Sequence, residues 1–218
     1  MAVVAIDGPA GAGKSTIARL LAQKLGPDWQ FLDTGALFRG LTLACFEAGV
    51  DLDDEAAVAA LAKRLTIEFR DGRLFINGRD RTEDIRRPDV TENVRRIADM
   101  CGVREVIAGW ERRMASGKNV VVEGRDMTSV VFADAEFKFY LDAAAEERAR
   151  RRLKDLTKQG VDATFEEVLQ AVLRRDEADT TRKRAPLTRV PDAVYIDSTN
   201  LTPQQVVEKM LAVIRSRR

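Results

Sequence analysis

The sequence contains no histidine and only two cysteines, Cys45 and Cys101, among its 218 residues. Without histidine, the chain cannot form a Ser-His-Asp or Cys-His catalytic group, and it lacks a principal ligand of typical zinc enzymes. Any general base or metal site must therefore rely mainly on Asp, Glu or Lys. The two cysteines show no C-x-x-C or metal-ligand spacing, so we expect buried, reduced thiols and a cytoplasmic protein.

Long apolar runs and a large net charge are also missing. No stretch approaches the roughly 18 apolar residues of a membrane span, and the N-terminus does not have the pattern of a signal peptide. The 36 Lys and Arg residues nearly balance the 35 Asp and Glu residues, which leaves a net charge of +1. A general nucleic-acid binder is usually more basic, although the arginines here can still cluster in one cleft. We therefore expect small-molecule substrates, with neither nucleic acid nor a membrane as a partner.

A phosphate-binding loop stands near the N-terminus. The pattern G-x-x-x-x-G-K-S, with one more hydroxyl residue after it, occupies Gly8, Pro9, Ala10, Gly11, Ala12, Gly13, Lys14, Ser15 and Thr16. Glycines allow the backbone to curl around a phosphate, and the N–H groups of the curl form an anion nest. Lys14 can reach the β and γ phosphates, and the Ser15 hydroxyl can bind Mg²⁺. ATP and Mg²⁺ are the expected cofactors.

The surrounding pattern predicts an α/β protein with the P-loop NTPase fold. Short apolar runs alternate with helical periodicity, as expected of a parallel sheet with helices on both faces. We predict five strands, near residues 3–7, 30–33, 119–122, 137–142 and 193–197. The loop follows the first strand and precedes a helix, which is the context that the motif requires.

The rest of the chain adds two smaller parts to this domain. Apolar and polar residues alternate on both sides of Asp71-Gly72, which predicts a hairpin. We therefore expect a small antiparallel insert at about residues 63–90. An arginine-rich helix predicts a mobile lid at about residues 148–163. The core would then comprise about residues 1–62, 91–147 and 164–218 of a single domain. Two capping boxes, at Thr164 and Thr202, predict the starts of the last two long helices.

A phosphate loop is found in switch GTPases, in ATP-driven machines and in kinases of small acceptors. The sequence has no N-K-x-D guanine motif, which excludes a typical switch GTPase. Arginines gather in several patches around the expected ligand face, and two phosphorylated substrates explain so many cations better than one does. The residues thus favour a kinase whose acceptor is itself a phosphate, although they leave open a hydroxyl acceptor with an Asp as base.

Five segments in order closely resemble the bacterial cytidylate kinase family, and the likeness covers nearly the whole chain. The segments are residues 5–16, Leu32–Arg39 (LDTGALFR), Glu123–Met127 (EGRDM), Ala145–Arg152 (AEERARRR) and Ala185–Leu187 (APL). The resemblance implies a nucleoside monophosphate kinase fold and the reaction MgATP + CMP (or dCMP) → ADP + CDP (or dCDP). It also implies a monomer.

The resemblance assigns a role to each matching position. Thr34, Arg39, Arg125 and Arg182 would hold the CMP phosphate. Arg104 and Asp126 would bind cytosine, and Arg175 and Asp179 the ribose. Lys14 and the lid arginines Arg148 and Arg152 would stabilise the migrating phosphoryl group, together with Arg125 and Arg182. Ser15 would bind Mg²⁺, with Asp33 or Glu123 acting through a water molecule.

Two departures from the family pattern concern the acceptor base. Arg95 stands where the family usually has a small serine, and Met127-Thr128-Ser129 replaces the family's Met-Gly-Thr. Both changes leave phosphoryl transfer intact but bear on the choice of cytosine. The alternatives are a kinase of UMP, of another mononucleotide or of a hydroxylated metabolite with Asp126 as base, and a nucleotide-binding module without catalysis.

Overall fold

The computed structural model of the chain describes residues 1–70, 72–158 and 160–217. The chain divides into two compact units. The first unit comprises residues 1–31 and 118–218, and the second comprises residues 32–117.

Strands and helices alternate along most of the chain. The elements of its first half are β1 (Val3–Asp7), α1 (Lys14–Leu25), β2 (Trp29–Asp33), α2 (Thr34–Ala48), α3 (Glu55–Arg64), β3 (Ile67–Arg70), β4 (Arg73–Ile76), β5 (Arg79–Asp80), α4 (Pro88–Ala98) and α5 (Cys101–Ala115). Those of its second half are β6 (Asn119–Gly124), β7 (Phe137–Asp142), α6 (Ala145–Lys158), α7 (Phe165–Thr180), β8 (Val194–Asp197) and α8 (Pro203–Ser216).

The first unit is built on a five-stranded parallel sheet with the order β2-β6-β1-β7-β8. β1 pairs in parallel with both β6 and β7, and β7 pairs in parallel with β8. In this register Asp7 lies opposite Gly124 on one side and Tyr140 on the other. The carboxyl ends of three strands therefore meet at one level, the edge at which α/β sheets bind ligands. The predicted parallel sheet is confirmed.

Both faces of the central strands are buried. On one face Ile6, Val121 and Phe139 pack with α1 and α8 in a single apolar cluster. Ala5 and Val122 alternate with them along the strands and are fully buried as well. A parallel sheet covered on both sides reads as an unbroken apolar run, which explains why the sequence predicted these strands well.

The second unit joins helices α2–α5 to a three-stranded antiparallel sheet with the order β3-β4-β5. The two parts share one core, because side chains of β4 pack directly on α2. A Cβ on Gly40 of α2 would lie 3.0 Å from a methyl carbon of Leu74, so glycine permits this close packing. The predicted antiparallel insert is present. Of its Asp-Gly turn, Asp71 lies outside the described residues and Gly72 has a φ of +74°.

Three local predictions need correction. Apolar spacing over residues 90–115 predicts a long helical region with Gly102 as a possible break, but the structure has two helices there, which meet at Asp99–Met100. Gly102 lies inside α5, and its N–H donates to Glu55. The polar segment 80–89 predicts a loop, but it contains the end of β5, a 3-10 turn at Asp84–Arg86 and the start of α4. The helix expected from the sequence to begin near Ala36 is α2, which begins at Thr34.

α6 and α7 pack on one another in the first unit. Ala149, Val168 and Val172 form a small apolar cluster between them. α7 starts with the predicted capping box, in which Thr164 and Glu167 each hydrogen-bond the other's backbone N–H. Residue 148, the predicted start of the lid, lies within the continuous helix α6. The boundaries of insert and lid within the domain stay predictions.

Candidate active site

The phosphate loop leaves the carboxyl end of β1 and enters α1 at Lys14, with Gly13 as the N-cap. Gly8 is essential to its path, because a Cβ on Gly8 would lie only 1.9 Å from the carbonyl oxygen of Leu141 in β7. Ala12 N–H bonds to Pro9 O across the loop at 3.4 Å. The predicted loop therefore has the strand–loop–helix setting in which backbone N–H groups and the helix dipole favour an anion.

Lys14 occupies the centre of this loop and is 5% exposed. Its ammonium group donates to the carbonyl oxygen of Pro9 at 2.8 Å. Burial, and then the nearby charge of Arg125, lower the pKa of Lys14 to about 7, although Glu123 and Asp7 oppose the shift. In the ligand-free protein, Lys14 is therefore only partly protonated near neutral pH, and an anionic phosphate beside it would favour its charged form.

Ser15 and Glu123 provide a candidate Mg²⁺ position. The Ser15 hydroxyl donates to Glu123 Oε1 at 2.7 Å, from the first turn of α1 to the end of β6. A hydroxyl and a carboxylate are hard oxygen donors of the kind that Mg²⁺ prefers, and Mg²⁺ usually keeps several water ligands besides. The described residues hold no cluster of three or more acidic, His or Cys side chains suited to a metal. The donor set thus fits an ion held jointly by protein, phosphates and water.

Asp7, the last residue of β1, anchors a turn that follows β6. Its carboxylate accepts hydrogen bonds from Met127 N (2.9 Å), Thr128 N (2.7 Å) and Thr128 Oγ1 (2.6 Å). Burial raises the pKa of Asp7 despite these three bonds. The turn is a single π-helical turn at Met127–Val131, so the residues after Arg125-Asp126 are tied to the start of the phosphate loop. This role of Asp7 was not predicted from the sequence, although a polar residue at the end of a buried strand is a usable signal.

Arg125 and Arg182 converge on one buried carboxylate, that of Asp179. Arg125 donates through Nε to Asp179 Oδ2 at 2.8 Å, and Arg182 is hydrogen-bonded to Asp179 Oδ1. Burial alone would raise the pKa of Asp179, but Arg125, Arg182 and Arg175 outweigh it and hold that pKa below its ordinary value. A carboxylate that stays ionised fixes two guanidinium groups at the sheet edge, where they can bind an anion.

Asp126 and Arg175 also belong to this unit. Asp126 is 5% exposed and precedes the π-helical turn, with its carbonyl accepting from Val130 N and Val131 N. Arg175 lies on α7, has an exposed side chain, and acts electrostatically on both Asp179 and Lys14. The structure therefore brings together five of the predicted acceptor residues and the donor loop within one unit.

The two predicted lid arginines differ in their surroundings. Arg152 is exposed on α6. Arg148 is buried, and its guanidinium donates to Ala10 O at 3.1 Å and to both carboxylate oxygens of Asp176. Arg148 therefore contacts the phosphate loop through the backbone. Asp176, a functional candidate that sequence reasoning missed, lies one turn before Asp179 on α7.

In the second unit, Asp33, Thr34 and Arg39 cluster at the start of α2. Asp33 is the N-cap of α2, accepting from Ala36 N at 2.9 Å, and its other oxygen accepts from Arg39 Nη2 at 3.2 Å. Thr34 is 3% exposed, and Nε of Arg39 is buried without a hydrogen-bond partner among the residues that the structure describes. This local arrangement explains the motif Asp33-Thr34-Gly35, in which a capping residue also orients an arginine.

Arg104 and Arg95 lie on neighbouring helices of the second unit. Arg104, on α5, donates to Ala98 O at 2.7 Å, and its guanidinium lies 5.7 Å from the ring centre of Phe38. This partly buried position stacks the cation on an aromatic face. Arg95 is exposed on α4.

No helix among the described residues is both long and apolar enough to cross a membrane.

Comparison with known proteins identifies a family over almost the full length. A family model described as cytidylate kinase matches residues 4–216. A cytidylate kinase from Caldanaerobacter subterraneus is 43% identical over 212 residues, covering 97% of this chain and 94% of the relative. A second, from Geobacter sulfurreducens, is 45% identical over 219 residues, covering 99% of this chain and 93% of the relative.

Solved structures with low sequence identity share the fold. An uncharacterised protein from Eubacterium ventriosum superposes with a TM-score of 0.57 at 11% identity, and the match covers 99% of both chains. A shikimate kinase from Bacteroides thetaiotaomicron gives a TM-score of 0.51 at 14% identity, covering 98% of both chains. At these identities the likeness concerns the fold alone.

Proposed function

The chain belongs to the cytidylate kinase family, and on that premise we propose that it transfers the γ-phosphoryl group of MgATP to CMP or dCMP. The products are ADP and CDP or dCDP. One observation in particular supports the proposal. Arg125 stands directly beyond β6, fixed by the buried Asp179, and its charge acts on Lys14 of the phosphate loop. A second anion-binding group therefore operates within electrostatic reach of the donor loop.

On the donor side, the loop residues 8–16 are proposed to hold the phosphates of ATP through backbone N–H groups. The Ser15 hydroxyl would bind Mg²⁺, with Glu123 or Asp33 orienting a water ligand of the ion. The hydrogen bond between Ser15 and Glu123 supports Glu123 in this role. Bound Mg²⁺ would neutralise charge that develops on the phosphates.

On the acceptor side, the residues carried by the two units have separate tasks. Thr34, Arg39, Arg125 and Arg182 would bind the phosphate of CMP, Arg104 and Asp126 its cytosine, and Arg175 and Asp179 its ribose. A carboxylate such as Asp126 can accept a hydrogen bond from the exocyclic amine of cytosine. Arginine suits the phosphate because its planar fork binds two oxygens at once.

The proposed reaction needs no general base. The second pKa of a phosphate monoester is near 6, so the attacking oxygen of CMP is already ionised at neutral pH. Catalysis then depends on alignment and on cations around the migrating group. Lys14, Arg125, Arg152 and Arg182 would contact that group or its neighbours, and Arg148 would act through the loop backbone.

The preference for cytosine is the finer part of the proposal, because Arg95 and Thr128 depart from the family pattern. Thr128 donates both its N–H and its hydroxyl to Asp7, which accounts for a threonine at a position where the family has glycine. The exposure of Arg95 on α4 is compatible with a larger side chain there. These contacts support retention of the family's acceptor.

Acceptor use is tested by coupled ADP release with CMP, dCMP, UMP, AMP, GMP and shikimate. We expect CMP and dCMP to stimulate ADP release well above all the other compounds. Stimulation by shikimate or UMP alone, with none by CMP or dCMP, would replace the proposal with the corresponding kinase.

A nucleotide-binding module without catalysis would bind ATP yet show no turnover that depends on a monophosphate. The Lys14→Ala variant separates this alternative, because it removes the cation nearest the migrating group. We expect that variant to lose CMP phosphorylation by several orders of magnitude. Unchanged turnover in Lys14→Ala would remove the loop from the reaction.

The supporting context is also part of this proposal. The protein would act in the cytoplasm, where ATP and CMP are available, and as a single chain. Residues of about 63–90 would serve as the acceptor-binding insert, and residues of about 148–163 as a lid over bound ATP.

A further inference from the structure

We infer that Arg148 and Asp176 form a positioning pair that fixes one peptide of the phosphate loop, the peptide between Ala10 and Gly11. No role had been assigned to Asp176. The inference rests on the proposed function only where it concerns turnover, because the binding of ADP to the loop can be measured without any acceptor.

The guanidinium of Arg148 is almost fully engaged by protein groups. Nε donates to Ala143 O at 2.8 Å, and Nη1 donates to Ala10 O at 3.1 Å and to Asp176 Oδ1 at 2.9 Å. Nη2 donates to Asp176 Oδ2 at 2.5 Å. Four of its five N–H groups are thus used, and its side chain is 5% exposed. Arg148 is therefore placed to hold the loop rather than to follow a moving phosphate.

The contact with Ala10 O determines where the next N–H points. In a planar trans peptide, the carbonyl oxygen of one residue and the N–H of the following residue point in opposite directions. A guanidinium on Ala10 O therefore turns Gly11 N–H to the opposite side of the loop. Loop N–H groups are the donors that cradle phosphates, so the contact preorganises one of them before ATP binds.

Close packing reinforces this orientation. Gly11 has a φ of +79°, and a Cβ on Gly11 would lie 3.2 Å from Cβ of Arg148. Residue Arg148 of α6 therefore packs directly against Gly11. A peptide that is held by a hydrogen bond and packed against a helix has little freedom to rotate.

Asp176 is what keeps Arg148 in place. Its two oxygens match the two Nη groups in a bidentate pair, the geometry that adds orientation as well as energy. Without this carboxylate, a buried guanidinium would be left without a counter-charge and would turn towards water. An amide at position 176 keeps the shape of the side chain but accepts through only one oxygen, so it tests the pairing with little change in volume.

The test measures the dissociation constant of ADP by titration calorimetry in four single variants. We expect Asp176→Asn and Arg148→Lys each to weaken ADP binding about tenfold. Asp176→Glu should recover part of the loss, and the control Glu177→Gln, at an exposed site next to Asp176, should match the wild type. Because the two residues act as a unit, the double variant Asp176→Asn/Arg148→Lys should be no weaker than either single variant.

A spectroscopic readout separates positioning from stability. In protein labelled with ¹⁵N-glycine, Asp176→Asn should shift the amide resonance of Gly11 and leave that of Gly49, at the end of α2, unchanged. In turnover, kcat should fall while KM for CMP stays within about twofold of its wild-type value. A lower melting temperature with unchanged ADP affinity and an unchanged Gly11 resonance would overturn the inference.

The outcomes also separate this inference from the proposed function. A wild-type protein that binds ADP but does not phosphorylate CMP would contradict the proposed function, while the ADP and Gly11 measurements would still decide on Arg148 and Asp176. Additive losses in the double variant, or an equal rise in KM for CMP, would show that the two residues do not act through the loop. If Asp176→Asn fails to fold, Arg148→Lys provides the same comparison.

Discussion

Lys14 shows how burial prepares a single side chain for a ligand. Its ammonium group has a neutral carbonyl, Pro9 O, as hydrogen-bond acceptor, and two arginines act on it electrostatically. Burial and these arginines outweigh the nearby Glu123 and Asp7, so the charged form of Lys14 is disfavoured in the ligand-free protein. Under the proposed function, the triphosphate of ATP would supply negative charge that favours it. Burial thus removes the water that would stabilise the charged ammonium group, and a bound phosphate would replace that stabilisation.

Binding of ATP should therefore take up a proton near and above neutral pH. The pKa of Lys14 is about 7 in the ligand-free protein, and the phosphates raise it, so a neutral Lys14 becomes protonated as ATP binds. We expect uptake of roughly one proton per ATP at pH 8, and an affinity that weakens as the pH rises through 7. Calorimetry in buffers of different ionisation enthalpy measures this uptake. In Lys14→Arg, which keeps its charge at all these pH values, the uptake should disappear.

Arg125 and Arg182 should affect the acceptor far more than the donor. Both are hydrogen-bonded to Asp179, and under the proposed function their loss would remove two ligands of the acceptor phosphate. For Arg125→Ala and Arg182→Ala we expect kcat/KM for CMP to fall by at least about 100-fold, with the dissociation constant of ADP within a few-fold of the wild type. Steady-state kinetics measures kcat/KM for CMP, and calorimetry measures the dissociation constant of ADP. Equal losses of CMP use and of ADP affinity would mean that these arginines mainly support the fold.

At the scale of elements, α7 and the turn after β6 organise the site. α7 supplies Asp176 to Arg148 and Asp179 to Arg125 and Arg182, so two residues three apart on one helix hold three arginines. The turn after β6 is held by Asp7 at the end of β1. The carboxylates of these elements fix the positions of guanidinium groups and of a backbone N–H group through hydrogen bonds.

The hydroxyl of Thr128 should contribute measurably to the stability of this turn. It donates to the buried carboxylate of Asp7 at 2.6 Å, and hydrogen bonds to charged groups are the stronger kind. We expect Thr128→Val to lower the free energy of unfolding by about 1.5–3 kcal/mol at pH 7, measured by urea denaturation. Thr128→Ser keeps the hydroxyl and should lose much less. A Val variant as stable as the Ser variant would rule out this contribution.

The whole molecule divides into two compact units that carry different groups of the predicted site residues. The first unit carries the phosphate loop and the Asp179 cluster, and the second carries the Asp33 and Arg104 groups. Among the described residues of the whole chain, the large exposed apolar side chains are far apart in sequence. They are Met1, Phe46, Val130, Val161, Leu173 and Tyr195. Single exposed apolar side chains are normal on a protein surface and by themselves require no partner.

We accordingly expect the mass of a single chain in solution. Light scattering coupled to size-exclusion chromatography should give that mass both in the absence of ligand and with ADP and CMP present. The physical reason is that stable dimers bury extended apolar patches. A mass of two chains that persists on dilution to low micromolar concentration would contradict the expectation.

The sequence by itself determined the local features of this protein. A buried strand, a glycine loop and a helix follow one another within residues 3–25, and capping boxes start α7 and α8, because these features depend on neighbouring residues. The central strands β1 and β6 were predictable for a similar reason, since strands buried on both faces read as continuous apolar runs. Features with weaker local signals, such as the junction between α4 and α5, were predicted at the wrong residues.

Only the tertiary structure decided which charges meet. Asp7 and Thr128 are 121 residues apart, Arg125 and Asp179 54 apart, and Arg148 and Asp176 28 apart. These pairs depend on the order of strands in the sheet and on the packing of α6 against α7, neither of which is encoded in the spacing of residues along the chain. A charged side chain looks much the same in any sequence, and its role depends on which partner the fold brings to it.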